Sequence, residues 1–337
     1  MQAVIIAGGL GTRLRPLTFN RPKALVPLLN RPQILYILER LPPSVDEVFI
    51  PVNYMFEQVR DFFQEFDTGR TVTVIEEKEP LGTAGAVRNL SDRLDGTFAV
   101  CNGDVIDSLD FAAFLKFHRK ARALASVALF EVEEPSAFGV VAMEGPRITR
   151  FVEKPQGGTA PSRLVNAGRY LFEVEVLDAI QAGRVVSMER EVFPGLADKG
   201  VLNGFPFEGY WSDAGTLEGY LTATSMLLAN GGAAIDATAH IARARIDGAV
   251  LIAKGCVAEG RLGPDVVCGA DCRIETATVE RSVLLDSVQV ESGATVRGSI
   301  VGEDSSVGPD ATVENSIIGD GARVRKGRRV IGERMAG

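Results

Sequence analysis

From Gly232 to the C-terminus, branched apolar residues return every five or six positions, and this short repeat constrains the fold more than any other feature of the chain. The run is Ile241, Ile246, Ile252, Val257, Leu262, Val267, Ile274, Val279, Leu284, Val290, Val296, Val301, Val307, Val313, Ile318, Val324 and Val330, with Gly, Asp, Ser and Ala in the gaps. The helical period is absent, and the strands of a sandwich would recur at a spacing nearer ten residues. The pattern predicts a parallel β-helix of hexapeptide repeats, in which each coil buries one residue per flat side and neighbouring coils complete the core. Three hexads to a coil give about five coils. Known hexapeptide helices are left-handed, so a left-handed solenoid is expected.

Ahead of that boundary the rhythm is different. Short apolar runs (VIIA, EVFIPV, TVTVI, FAVCN, SVALFEV) alternate with stretches of helical spacing, such as Ile34, Ile37, Leu38 and Leu41, or Val59, Phe62, Phe63 and Phe66. Further helices are expected from about Thr83 and over residues 110 to 122. Alternation of this kind means βαβ units around a largely parallel sheet. Beyond Phe138 the strands crowd together (FGVVA, RITRFVE, LVNAGRYLF), which adds antiparallel pieces and makes the sheet mixed. The expected architecture is a Rossmann-like three-layer αβα domain over residues 1–232, followed by a left-handed β-helix over 233–337.

With 337 residues, 46% of them hydrophobic and 24% charged, the chain can bury two full cores. Its formal charge of −8 argues against a general partner that is nucleic acid or a membrane surface. No apolar run is long enough to span a bilayer and no basic leader opens the sequence, so a cytoplasmic location is expected. Cys101, Cys256, Cys268 and Cys272 form no CxxC pair and read as buried thiols. His118 and His240 are the only histidines, which removes His-relay hydrolases and multi-His metal sites. His118 is expected on a helix surface.

The stretch AVIIAGGLGTRLRPLTFNRPKALVP, residues 3 to 27, carries the chemistry. A strand ending in Gly8, Gly9 and Gly11 lets backbone N–H groups approach an anion. The Walker spacing is absent, and Leu14 stands where a dinucleotide fingerprint has its third glycine. Arg13 and Arg15 follow, then Lys23 after Pro22. Two planar forks and a point charge suit a ligand with several phosphates.

The strings GGLGTRLRP and RPKALVP resemble the signature of the sugar nucleotidyltransferases, the NDP-sugar pyrophosphorylases, and further blocks match in order: EPLGTAGA (79–86), NGD (102–104), FVEKP (151–155), NAG (166–168) and WSDAGT (211–216). A hexapeptide tail occurs in a subset of that family. The resemblance implies transfer of a nucleotidyl group from a nucleoside triphosphate to a sugar 1-phosphate, with release of pyrophosphate and use of Mg²⁺. It implies that Ala7, Gly8, Gly9, Gly11, Thr12, Pro80, Gly82, Thr83 and Gly103 line the nucleotide, and that Arg13 and Lys23 hold its phosphates. Lys154 then grips the sugar phosphate, with Gly139, Glu153, Asn166 and Asp213 around the sugar. Asp104 and Asp213 hold the metal.

Read without the family, Asp104 is a turn or cap residue, Asp213 a cap for a helix starting near Thr216, and Lys154 a solvated edge lysine. The basic segment RVRKGRRVIGER reads as a solvated solenoid end. Within the family, EEPSAFGVV, RITRFVEKPQ, NAGRYLF and MEREVFPGLA look most like mannose-1-phosphate guanylyltransferases, so GTP and mannose 1-phosphate are expected. Glucose-1-phosphate thymidylyl- or uridylyltransfer is the alternative, and a non-catalytic scaffold of the same fold the alternative of another class. Homo-oligomerisation through the β-helix is expected.

Overall fold

The computed structural model describes residues 1–337, the side chain of Ala242 apart. Its contacts group the chain into two compact units, Met1–Gly9 with Ile34–Trp211 and Leu10–Gln33 with Ser212–Gly337.

The first unit is built on a mixed nine-stranded sheet. In chain order its strands are β1 (Gln2–Ile6), β2 (Glu47–Val52), β3 (Thr71–Glu76), β4 (Thr97–Asn102), β6 (Ala125–Glu131), β7 (Gly139–Glu144), β8 (Arg147–Glu153), β9 (Leu164–Glu173) and β10 (Leu202–Pro206), with the short β5 (Val105–Asp107) outside the sheet. They lie in the order β3-β2-β1-β4-β9-β6-β10-β8-β7. β3, β2, β1 and β4 run parallel, while β9 is antiparallel to both neighbours. The apolar runs that predict strands are buried on both faces: Ala3, Val4 and Ile5 in β1, and Phe98 to Cys101 in β4. Connections include α1 (Gln33–Arg40), α2 (Phe56–Glu65), α3 (Gly82–Arg88), α4 (Phe111–Ala121) and α5 (Phe193–Asp198). Parallel strands direct the loops after β1, β2, β3 and β4 to one edge, where α/β sheets bind ligands.

Asp110 starts α4 by accepting the Ala113 N–H at 2.9 Å. His118 corrects an expectation, because it is fully buried. It lies seven residues after Phe111, on the same stripe as Phe114 and Leu115, and the helical period carries it inward. Its Nδ1 is 2.8 Å from Ser126 Oγ and its Nε2 3.0 Å from Glu173 Oε1. Burial holds its pKa below the ordinary histidine value.

The second unit holds residues 10–33, the helix α6 (Leu217–Leu227) and a parallel β-helix. Three inward ladders form the solenoid core. One is Ala258, Ile274, Val290, Val307 and Val324, and the second is Leu262, Val279, Val296, Val313 and Val330. The third is Ile252, Cys268, Leu284, Val301 and Ile318. Partners are 16 or 17 residues apart, and one face carries seven strands, the terminal Ala234–Ile235 and Arg334–Met335 included, where about five coils were expected.

The spacing misplaces two residues. Val257 is 41% exposed, and Ala258 takes the inward place. Val266 and Cys268 join the core while Val267 stacks with Val283, Ile300 and Ile317 in a separate ladder, also buried. Alternation along a strand sends neighbours to opposite faces, and a hexad period cannot say which of two adjacent apolar residues turns in. All four cysteines are free and buried.

Candidate active site

Three turns of the first unit carry Ala7, Gly8, Gly9, Pro80, Gly82, Thr83, Gly103 and Asp104. Gly8 follows β1 so closely over Glu77 that a Cβ there would lie 2.8 Å from Glu77 Oε2. Glu77, just past β3, is 7% exposed, and its Oε1 has no hydrogen-bond partner. Its backbone is fixed on both sides: the N–H donates to Val52 O at 2.9 Å, and the carbonyl accepts Asn53 Nδ2 at 2.8 Å. Burial raises its carboxyl above the usual range. Gly9 has open space where a side chain would be.

The loop before α3 is tied to a distant segment. Gly82 would drive a Cβ to 2.5 Å from Val186 O, and the Ala84 N–H donates to that carbonyl at 3.0 Å. Thr83 Oγ1 bonds Glu189 Oε2 at 2.9 Å and accepts the Met188 N–H at 2.8 Å, so the hydroxyl shapes the loop. Pro80 lies on the exposed rim.

Gly103 must be glycine, because its Cβ would come 2.6 Å from Ile6 O, the same carbonyl its N–H meets at 3.0 Å. Asp104 therefore sits in a turn pinned to the end of β1. Arg169, 2% exposed in the middle of β9, holds that turn from beneath: Nη1 donates to Asn102 O at 3.0 Å and Nη2 to Val105 O at 2.7 Å, with Asp107 Oδ2 2.8 Å from Nη2. Burial alone would lower its pKa, but the charges of Asp107 and Asp104 hold the guanidinium charged. Asp104 caps no helix, since Asp110 caps α4.

Gly139, Glu153, Lys154 and Asn166 belong to the same unit. Gly139 lies over Phe151, and Glu153 Oε2 would be 3.0 Å from a Cβ at Gly139. Burial, then the nearby charge of Glu189, raises the Glu153 carboxyl. Lys154 adopts a left-handed φ of 49°, unusual for a lysine, and its side chain is 61% exposed. Backbone held in this region clusters at ligand sites. Asn166 is held locally, donating to Tyr170 OH at 2.9 Å and accepting the Gly168 N–H at 2.9 Å, where β9 changes register.

The second unit brings together Gly11, Thr12, Arg13, Lys23 and Asp213. Gly11, at φ 61°, opens a single turn over Thr12–Leu14, and its carbonyl accepts Thr18 Oγ1 at 2.9 Å. Arg13 Nη1 is 3.4 Å from Asp213 Oδ2. The centre of the cluster is Gly215. A Cβ there would meet Lys23 Nζ at 2.5 Å, Arg13 Nη2 at 2.7 Å and Asp213 Oδ1 at 2.7 Å. Two cations and a carboxylate thus converge on one bare backbone position. Asp213 Oδ1 accepts the Gly215 N–H at 2.8 Å and caps no helix, because Thr216 caps α6 itself.

Sequence reading missed Glu77 and Arg169. Arg169 carried a signal, a charge within an apolar strand; Glu77, in the exposed-looking EEKE, carried none.

A nucleotidyl transferase family model matches residues 2–230. Mannose-1-phosphate guanylyltransferase 1 of Arabidopsis thaliana is 37% identical over 311 residues, 88% of this chain and 84% of that protein. The chain belongs to the mannose-1-phosphate guanylyltransferase family of nucleotidyl transferases. A second family model, the GMPPB C-terminal domain, matches residues 229–336. Another guanylyltransferase relative, the probable mannose-1-phosphate guanylyltransferase 2 of Oryza sativa subsp. japonica, is 38% identical over 309 residues, 88% of this chain and 84% of that one. Among solved structures, a putative glucose-1-phosphate thymidylyltransferase from Bacillus anthracis superimposes with a TM-score of 0.60 at 26% identity, covering 66% of this chain and 93% of that one. HddC from Yersinia pseudotuberculosis complexed with GMP-PN does so at 0.56 and 26%, covering 66% and 97%. This member of the guanylyltransferase family is a sugar-1-phosphate nucleotidyltransferase. No helix among its described residues is long and apolar enough to cross a membrane.

Proposed function

We propose that this chain joins GTP to mannose 1-phosphate, forming GDP-mannose and pyrophosphate. An oxygen of the sugar phosphate attacks the α-phosphorus of GTP; the bond from that phosphorus to the bridging oxygen breaks, and pyrophosphate leaves with the electron pair. The nucleophile is already anionic at neutral pH, so no side chain has to remove a proton. What is needed is alignment, worth about 7–11 kcal/mol in well-oriented systems, and neutralisation of two polyanions.

The observation that carries the reading is the convergence of Arg13, Lys23 and Asp213 on Gly215. Arg13 braces the β- and γ-phosphates and meets the charge that grows on the departing pyrophosphate, and Lys23 holds phosphate oxygens beside it. Ala7, Gly8, Gly9, Gly11, Thr12 and Gly103 offer backbone to the nucleotide, with Pro80, Gly82 and Thr83 at the base. Lys154 grips the sugar phosphate, and Gly139, Glu153 and Asn166 meet the sugar. Guanine is favoured by Glu77, whose carboxylate accepts from the N1–H and 2-amino group of guanine. Uracil and thymine present one N–H between two carbonyl oxygens, which a carboxylate repels.

A divalent cation fits the acids available. Asp213 and Asp104 are carboxylates, the hard oxygen donors that such an ion takes. Mg²⁺ is an ion that takes one or two carboxylates and completes its shell with phosphates and water. Asp104 and Asp213 are the residues that would hold it. It would supply charge neutralisation at the α-phosphate. The same proposal includes the modules 1–232 and 233–337, a cytoplasmic setting in keeping with the four thiols, and self-association through the solenoid.

Pyrophosphate release from Mg²⁺, each common nucleoside triphosphate and a panel of sugar 1-phosphates tests the reading. It expects GTP with mannose 1-phosphate to lead. Preference for dTTP or UTP with glucose 1-phosphate moves the assignment to that pair, and release from none points to a scaffold.

A further inference from the structure

We infer that Arg21 is a positioning residue through which the solenoid holds the phosphate-gripping loop in register, an inference that rests on the guanylyltransferase reading. Arg21 sits in the second unit with the coils it touches. Its Nη1 is 2.7 Å from Glu303 Oε1 and its Nη2 2.9 Å from Asp320 Oδ2. Those carboxylates belong to successive coils of one face, and Asp320 is itself fixed, its Oδ1 accepting the Glu303 N–H at 2.9 Å. The Arg21 side chain is 14% exposed and that of Asp320 16%. The desolvated fork therefore grips two rungs in one geometry, which a lysine's point charge would not reproduce.

Only Pro22 separates Arg21 from Lys23. Its ring fixes φ at −66°, and the turn over Lys23–Leu25 begins at once, closed by the Val26 N–H on Lys23 O at 3.1 Å. The link is stiff, and a shift of Arg21 is passed to Lys23 with little slack. Lys23 in turn lies beside Gly11, at 3.1 Å from a Cβ built there, and Gly11 begins the turn that carries Arg13.

Other contacts tie residues 15–30 to the solenoid, and Asn20 Nδ2 donates to the same Asp320 Oδ2 at 3.4 Å. Arg334 Nη1 donates to Arg15 O at 3.3 Å, Asn30 Nδ2 to Cys268 O at 3.0 Å, and Pro16 lies against Gly319. Arg21 is the one ionic clamp among them. Neither Arg21 nor its two carboxylates need touch a substrate; they act through the places of Arg13 and Lys23. A misplacement of the order of 1 Å at a charged group can cost about a hundredfold in rate.

The test uses the full chain. Arg21→Ala is expected to lower kcat at least about tenfold with KM for the sugar phosphate within about twofold. Glu303→Gln with Asp320→Asn should give a comparable loss, and adding Arg21→Ala to that pair should cost little more, since all three act as one unit. Arg21→Lys should not restore the rate. Arg297→Ala, which breaks a solenoid ion pair to Glu280 and Glu314 away from the loop, should leave kcat unchanged. Hydrogen–deuterium exchange supplies a readout independent of turnover: Arg21→Ala should raise exchange over residues 12–25 and leave residues 164–173 as they were. Unchanged kcat and unchanged exchange over residues 12–25, or losses that simply multiply, would overturn the inference. A wild-type chain inactive with GTP and mannose 1-phosphate would instead overturn the functional reading, and the exchange result would still decide for or against Arg21.

Discussion

Arg13 reaches Asp213 across 3.4 Å of space and two hundred residues of sequence, and both lie against the bare backbone of Gly215 with Lys23 Nζ. A guanidinium in this place serves the transition state more than the ground state if it meets charge on the leaving pyrophosphate. Arg13→Ala should then lower kcat by at least about a hundredfold with little change in KM for GTP. Gly215→Ala should do comparable harm, because its methyl would occupy space that Lys23 and Arg13 already hold. Steady-state kinetics check both, and a pure KM effect from Arg13→Ala would contradict the role.

Glu77 is a poor residue for stability and a good one for a ligand. Burial raises its carboxyl above the usual range, so the native state binds the proton more readily than the unfolded chain. The sign follows from linkage: stability falls as pH rises from the unfolded value of about 4.3 through the higher folded value. Glu77→Gln removes that dependence. The variant should melt above wild type at pH 7 to 8 and match it near pH 4, while kcat/KM for GTP drops at least about tenfold. Thermal melts across pH, read beside kinetics, check the pairing of gained stability with lost activity.

Arg169 and Asp107 form a nearly dry ion pair, 2% and 1% exposed, beneath the turn that bears Asp104. Removing one partner strands the other charge, so Arg169→Met should cost about 3–5 kcal/mol. Arg169→Met with Asp107→Leu should recover much of that loss, because two apolar side chains need no partner. Activity should not return, since the carbonyls of Asn102 and Val105 lose the donor that shapes the turn. Denaturant unfolding of wild type and the two variants, read beside their activity, separates these effects.

The inward ladders of the solenoid make a register test. Leu284, fully buried between Cys268 and Val301, should cost about 2–5 kcal/mol when cut to alanine. Val257, matched to the repeat by spacing alone yet 41% exposed, should tolerate alanine within about 0.5 kcal/mol. Equal losses at the two positions would mean that Val257 faces the core.

That contrast marks how far the sequence can be read. The five-to-six-residue period is enough for a parallel solenoid, because few structures repeat so tightly, and β–α alternation is enough for the mixed sheet. Facing is another matter. At Val257–Ala258 and Val266–Val267 a one-residue choice decides which side turns in, and only the packing of the next coil makes it. His118 shows the opposite failure, as its stripe with Phe111 and Phe114 was visible but its polarity pointed outward. In the candidate site, the glycine and arginine strings are local and legible. The clamps of Arg21 on Glu303 and Asp320 join residues some three hundred positions apart, and no local pattern carries them.

One measurement tests the central claim most directly. The full chain, Mg²⁺ and an equimolar mixture of GTP, ATP, UTP and dTTP are incubated with mannose 1-phosphate and glucose 1-phosphate together, and the nucleotide sugars are identified by mass spectrometry. The account predicts that GDP-mannose dominates and that Glu77→Gln erodes this dominance. A mixture led by UDP- or dTDP-glucose would contradict it.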